Sequence, residues 1–129
     1  MGKVINKVHH AHEHEELLQS NIKLVRAKIR MVLGEVYIVS SKDGAARGGH
    51  YHKQATEWFT LLTGNARLEM KDIRTNETMA ISLSALKPVT IVVPAYIAHR
   101  FDTISNEAFI LLAYTDFLYT PDDTIELEF

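Results

Sequence analysis

The chain has 129 residues, is 47% apolar and 23% charged, and carries a formal net charge of −2. Those proportions suit one globular domain with its own core and fit neither a disordered chain nor a coiled coil. The near-neutral balance supplies no basic field for nucleic acid or acidic lipid, and with no cysteine there is no disulfide, thiolate metal site or cysteine nucleophile.

No apolar stretch is long enough to span a membrane, and Met1-Gly2-Lys3-Val4 opens no signal-peptide run. Gly2 lacks the downstream Ser or Thr of a myristoylation site. These absences make a cytoplasmic protein the expectation.

Residues 1–21 differ from the rest. His9, His10, His12 and His14 precede Glu13, Glu15 and Glu16, and the stretch ends near Ser20-Asn21. It reads as a short polar arm, helical in part. His10 and His14 lie one helical turn apart, but no packing signal accompanies them, so the arm is taken as a solvated segment. From residue 22 the pattern turns to strands. Ile22 to Met31 alternates apolar and basic residues, and Glu35 to Ser40 is a second strand. Ser41 to Gly49 is a loop marked by Asp43-Gly44 and Gly48-Gly49. It leads into the strand bearing His50 and His52.

Trp58 to Thr63 is apolar and aromatic, and Gly64-Asn65 suits a hairpin turn. Ala66 to Ile73 alternates, with Leu68 and Met70 facing inward. Arg74 to Glu77 is a turn, and Thr78 to Leu83 is a short strand. Val89 to Val93 is stopped by Pro94, which cannot donate to a ladder. His99 to Ile104 is a strand, and the apolar run Ala108 to Tyr114 is a central one. Phe117 to Phe129 is an acidic, aromatic tail. Eight or nine short strands with no long helix after residue 21 predict an all-β, two-sheet barrel or jelly roll. One domain over 22–129 follows, preceded by the arm 1–21.

Period two puts His50 and His52 on one face of their strand. Glu57 follows on the next strand, and His99 arrives after Pro94. Three imidazoles and one carboxylate meeting inside a barrel form a nitrogen-rich set for a divalent metal. The set does not choose among Zn, Fe, Mn, Ni and Cu, and a metal-free site stays open.

Gly49-His50-x-His52-x4-Glu57-x6-Gly64 resembles the first motif of the cupin superfamily, and Pro94-x4-His99 resembles the core of the second. The resemblance covers roughly residues 22–120. It implies a double-stranded β-helix, the cupin jelly-roll barrel, with His50, His52, Glu57 and His99 as metal ligands. Two positions depart from the pattern. Tyr96 stands where the family often has glycine, and Thr103 where it often has asparagine.

Arg47-Gly48-Gly49-His50-Tyr51-His52-Lys53, Trp58-Phe59-x-Leu61-Leu62-x-Gly64 and Leu111-Leu112-Ala113-Tyr114 followed by Asp122-Asp123 are similar to cupins of surface-polysaccharide biosynthesis. Those include the C-terminal cupin domain of capsular-polysaccharide epimerases and the nucleotide-sugar 3,4-ketoisomerases. The similarity implies a nucleotide-linked 4-keto-6-deoxy sugar as substrate. It also implies an isomerase or epimerase that takes a proton from the carbon beside the ketone. In a metal-free site His50 or His52 is the expected base, with Tyr37 or Tyr51 as acid; in a metal site the ion would instead hold the enolate oxygen. Arg47, Lys53 and Arg67 are candidates for the pyrophosphate. A dioxygenase, a sugar-phosphate isomerase and a non-catalytic small-molecule-binding module are the competing readings, since fold alone does not decide. The exposed edge of the long N-terminal strand predicts a homodimer through residues 22–33.

Overall fold

The computed structural model describes residues 34–42 and 44–129. The arm 1–21 and the strand expected at 22–31 lie outside the described residues. Nine strands follow in chain order: β1 (Glu35–Ser40), β2 (Arg47–His52), β3 (Glu57–Thr63), β4 (Asn65–Asp72), β5 (Thr78–Ser84), β6 (Thr90–Val93), β7 (Ile97–Thr103), β8 (Ile110–Thr115) and β9 (Thr124–Glu126). A 3-10 turn, Pro121–Asp123, precedes β9. The all-β expectation holds. The histidine strand β7 starts two residues and ends one residue earlier than expected, and the tail contributes a turn and a strand.

The strands form two antiparallel sheets, in the orders β1-β8-β3-β6 and β5-β4-β7-β2-β9. Alternation explains the core between them. Phe59 and Leu61 of β3, Leu68 of β4, Ile91 and Val93 of β6, Phe101 of β7 and Leu111 of β8 all face inward and are buried. Burying each such side chain contributes about 1.5–3 kcal/mol. Phe109 joins them just before β8, where its backbone pairs with buried Ser41. The Ser41 hydroxyl accepts the Phe109 N–H at 2.7 Å, and the Ser41 N–H donates to the Phe109 carbonyl at 3.1 Å.

The same inward phase carries polar groups at one end of the barrel. Glu57 precedes Phe59 by two residues and His99 precedes Phe101 by two, so both point between the sheets, 3% and 1% exposed. The backbone of β2 is adjusted to match. Its register against β7 shifts between Gly48 and His50, a bulge in which Gly48 and Gly49 have φ of 85° and 84°. At Gly48 a Cβ would stand 2.6 Å from the His99 carbonyl oxygen, so only glycine fits. The bulge sets His50 opposite His99 and Arg47 opposite Phe101, which turns both residues inward.

Tyr96, at the position where the cupin pattern often has glycine, has a φ of 67°. The turn thus keeps the left-handed backbone that glycine favours and places a tyrosine in it. Its N–H donates to the His52 carbonyl at 2.7 Å, which ties the entry of β7 to the end of β2.

The outward face of the four-stranded sheet is apolar. Val36, Ile38, Leu62 and Leu112 are 69, 59, 47 and 38% exposed. The apolar run Ala108 to Tyr114, expected as a central strand, supplies β8 between β1 and β3, and among the described residues only its inner face is buried.

Candidate active site and metal centre

Four side chains converge where β2, β3 and β7 meet. One ligand atom from each of His50, His52, Glu57 and His99 falls within 4.8 Å of the others. The ring centroids of His50 lie 5.0 Å from His52 and 4.9 Å from His99. Phe59 packs against the His99 ring with centroids 5.3 Å apart, closing the apolar floor beneath the cluster.

Hydrogen bonds orient the donors. His52 Nδ1 lies 2.9 Å from the Asp123 carbonyl oxygen, an acceptor, so the proton is on Nδ1 and Nε2 turns to the cluster. There Nε2 meets Glu57 Oε1 in a contact without hydrogen-bond geometry, and it is a buried nitrogen without a hydrogen-bond partner. His99 is arranged the same way. Its Nδ1 lies 3.3 Å from the Ile97 carbonyl, and its Nε2 stands 3.6 Å from Glu57 Oε2. Tyr37 of β1 reaches across and donates its hydroxyl to Glu57 Oε2 at 3.0 Å.

The electrostatics separate the three histidines. Burial lowers His99 to about 4, outweighing the attraction of Glu57. Burial also lowers His50, helped by the neighbouring His52. His52 goes the other way. Burial opposes its charge, but the contact with Glu57 and the Asp123 carbonyl prevail and raise it. Burial raises the Glu57 carboxyl, but His52, His99 and Tyr37 together hold it below its usual range. Tyr37 is pushed up, first by burial and then by the adjacent carboxylate, so its hydroxyl stays protonated.

A pocket of about 240 Å³ opens beside the cluster. Tyr37, His52 and Thr115 line its inner side, and Phe117, Tyr119 and Asp123 of the C-terminal segment its outer side. Among the described residues that line it there is no lysine or arginine.

The structure thus gathers His50, His52, Glu57, His99 and Tyr37, and leaves four other candidates apart from them. Tyr51 alternates with the histidines and faces outward, stacked on Tyr96 at 6.5 Å between centroids. Arg47 faces inward but gives its Nε to the Ser40 carbonyl. Arg67 lies on the outer face of β4, paired with Glu69 at 2.8 Å. Lys53 follows β2 with an exposed side chain, and only its backbone N–H is tied in, to Asp123. Asp123 is the residue that sequence reasoning passed over, as part of an acidic tail. It is 5% exposed. The signals were Asp122-Asp123 within the resemblance to polysaccharide-biosynthesis cupins and Pro121 just ahead, a pattern that starts a helical turn.

Comparison with known proteins agrees with this architecture. A family described as the polysaccharide biosynthesis C-terminal domain matches residues 21–125. The spore coat polysaccharide biosynthesis protein SpsL of Bacillus subtilis is 22% identical over 98 residues, covering 72% of this chain and 65% of that protein. Among solved structures, the capsular polysaccharide assembling protein CapF of Staphylococcus aureus is similar with a TM-score of 0.68 at 21% identity, over 74% of this chain and 29% of that one. The sugar 3,4-ketoisomerase QdtA of Thermoanaerobacterium thermosaccharolyticum, solved with TDP, is similar with a TM-score of 0.60 at 21% identity, over 70% and 64%. The chain therefore spans less than two thirds of the length of each. The shared fold is the cupin jelly roll that the histidine motifs resemble. With the match running through both histidine strands and the turn before β9, this chain belongs to the family of polysaccharide biosynthesis C-terminal domains.

Proposed function

We propose that the chain holds one divalent metal ion on His50, His52, Glu57 and His99 and acts as an isomerase or epimerase. Its substrate on this reading is a nucleotide-linked 4-keto-6-deoxy sugar, whose proton beside the ketone is moved. The observation that carries the reading is the buried, unpartnered Nε2 of His52 facing Glu57 and two further imidazoles. A nitrogen lone pair aimed at a carboxylate needs a cation or a proton between them. His50 and His99 are held toward their neutral forms, which leaves their lone pairs free to ligate. The second-layer carbonyls of Asp123 and Ile97 are the partners that metal-bound imidazoles require.

When bound, the metal supplies Lewis-acid polarisation of the ketone oxygen. The chain's residues do the rest. The pocket beside His52 accepts the sugar ring against Tyr37, Phe117 and Tyr119. Tyr37, kept protonated, donates its O–H to Glu57 and holds that carboxylate in place. The family and the TDP-bound ketoisomerase support the substrate class.

A second reading drops the metal, and one observation favours it. His50 and His52 are pushed in opposite directions. Neighbouring groups separated in this way assign themselves as base and acid, here His50 taking the carbon-bound proton and His52 returning one.

Incubation with thymidine diphosphate-4-keto-6-deoxyglucose in D2O, followed by proton NMR, tests both. Deuterium entering beside the ketone, with a new keto-sugar, supports an isomerase or epimerase. Tight binding with no exchange would point to a binding module instead.

The chain on this reading is a homodimer. The exposed Val36, Ile38 and Leu112 face is the surface a second copy would cover; residues 22–33, expected at the interface, lie outside the described residues. Sedimentation should show a dimer that Ile38→Lys weakens. A monomer at all concentrations would contradict it.

A further inference from the structure

Asp123 is a buried carboxylate far from its hydrogen-bond partners in sequence. Oδ1 accepts the N–H groups of Lys53 and Gln54, both at 2.9 Å, and Oδ2 accepts that of Ala55 at 3.1 Å. These three donors form the loop that leaves β2 immediately after His52. The same residue accepts the His52 Nδ1 proton on its backbone carbonyl at 2.9 Å. The turn holding it is itself fastened. Pro121 presets its first position, the Asp123 N–H donates to Thr120 at 3.0 Å, and the following Thr124 pairs with His52 across β2 and β9.

One residue of the C-terminal segment thus grips the backbone beyond His52 with its side chain and the ring of His52 with its main chain. Carboxylates accepting several backbone N–H groups are strong anchors, because each bond is charge-assisted. With the carboxylate pinned on three amides, the Asp123 carbonyl is aimed at Nδ1, and the ring is locked with Nε2 toward Glu57. A His52 ring without that acceptor would be free to place its proton on Nε2, the nitrogen the site needs bare.

We propose that Asp123 is a positioning residue of the site: it fixes the tautomer and orientation of His52 through its own backbone carbonyl. This deepens the reading of the cluster as a metal centre and rests on it for the affinity effect alone. The C-terminal turn is then a working part of the site and not a trailing end.

The test uses Asp123→Ala and Asp123→Asn in the full chain. Co2+ titration followed by visible absorption reads affinity, and long-range 15N–1H correlation spectra of the metal-free proteins read the His52 tautomer. Unchanged far-ultraviolet circular dichroism establishes that the barrel persists. Recorded at a pH high enough for His52 to be neutral, the parent should show its Nδ1–H form. Asp123→Ala should show mixed tautomers and an affinity lower by about 10–100-fold. Asp123→Asn keeps one acceptor oxygen and should fall between; if Asp123→Ala fails to fold, this variant carries the test. A His52 tautomer unchanged in the folded variants would overturn the proposal. If the parent binds no Co2+, the metal reading fails, and the tautomer comparison still decides the role of Asp123.

Discussion

Replacing Tyr96 separates two opposing energies at a residue that joins β2 to β7. Its φ of 67° costs a residue with a Cβ about 1–2 kcal/mol, whereas glycine adopts it freely. The tyrosine ring offsets that strain. It stacks on Tyr51 at 6.5 Å, worth about 0.5–1.5 kcal/mol. The Arg74 guanidinium lies over the ring at 5.4 Å, adding about 0.5–1 kcal/mol at an exposed site. Tyr96→Ala keeps the strain and loses the ring, a net loss of about 1–2.5 kcal/mol. Tyr96→Gly loses the same ring but sheds the strain, against about 0.4–1 kcal/mol of extra freedom in the unfolded chain. The glycine variant should therefore be more stable than the alanine variant by roughly 0.5–1 kcal/mol, a reversal of the usual order. Urea unfolding followed by Trp58 fluorescence measures both midpoints. An alanine variant as stable as the glycine variant, or more so, would refute the reasoning.

Three further outcomes follow from the packing and charge described above. Ser41→Ala strips the buried Phe109 N–H of its acceptor and should cost about 1–3 kcal/mol in the same denaturant assay, with no change in metal binding. Tyr37→Phe removes a donor from Glu57 Oε2, so the carboxyl should rise toward its ordinary range and Co2+ affinity should fall about tenfold with the barrel intact. Acidification should destabilise the metal-free protein. Below 6.5 the unfolded chain protonates His99 while the folded chain does not until about 4, so stability is lost as pH falls through that window. The loss from this one group reaches about 3 kcal/mol at the bottom of the window. His50 adds to it and His52, raised in the folded state, opposes it. Unfolding midpoints at several pH values should show a shallower slope in His99→Gln.

The strands were legible because alternation and turn residues act locally. The residues Gly48, Gly49, His50, His52, Glu57 and His99 mark the barrel and its polar end, since a face-specific period carries each of them to the interior. Less visible was what depends on contacts between distant segments. Tyr51 sits between two inward histidines and so faces out, a consequence of the same period that placed them. Arg47 points inward only because a bulge resets the phase, and its guanidinium is taken by a backbone carbonyl. Asp123 entered only through a family resemblance, beside Asp122 in an acidic tail and with no role attached. Its burial depends on loop 53–55 some seventy residues earlier, and no local pattern announces such a pairing.

Metal content, measured by mass spectrometry on the chain freed of residues 1–20 so that its histidine-rich arm cannot contribute, tests the central claim most directly. With His52→Ala measured in parallel, the account predicts about one divalent ion per chain in the parent and its loss in the folded variant. No metal in the parent after purification with Zn2+, Fe2+, Mn2+, Ni2+ and Cu2+ each supplied in turn would contradict it.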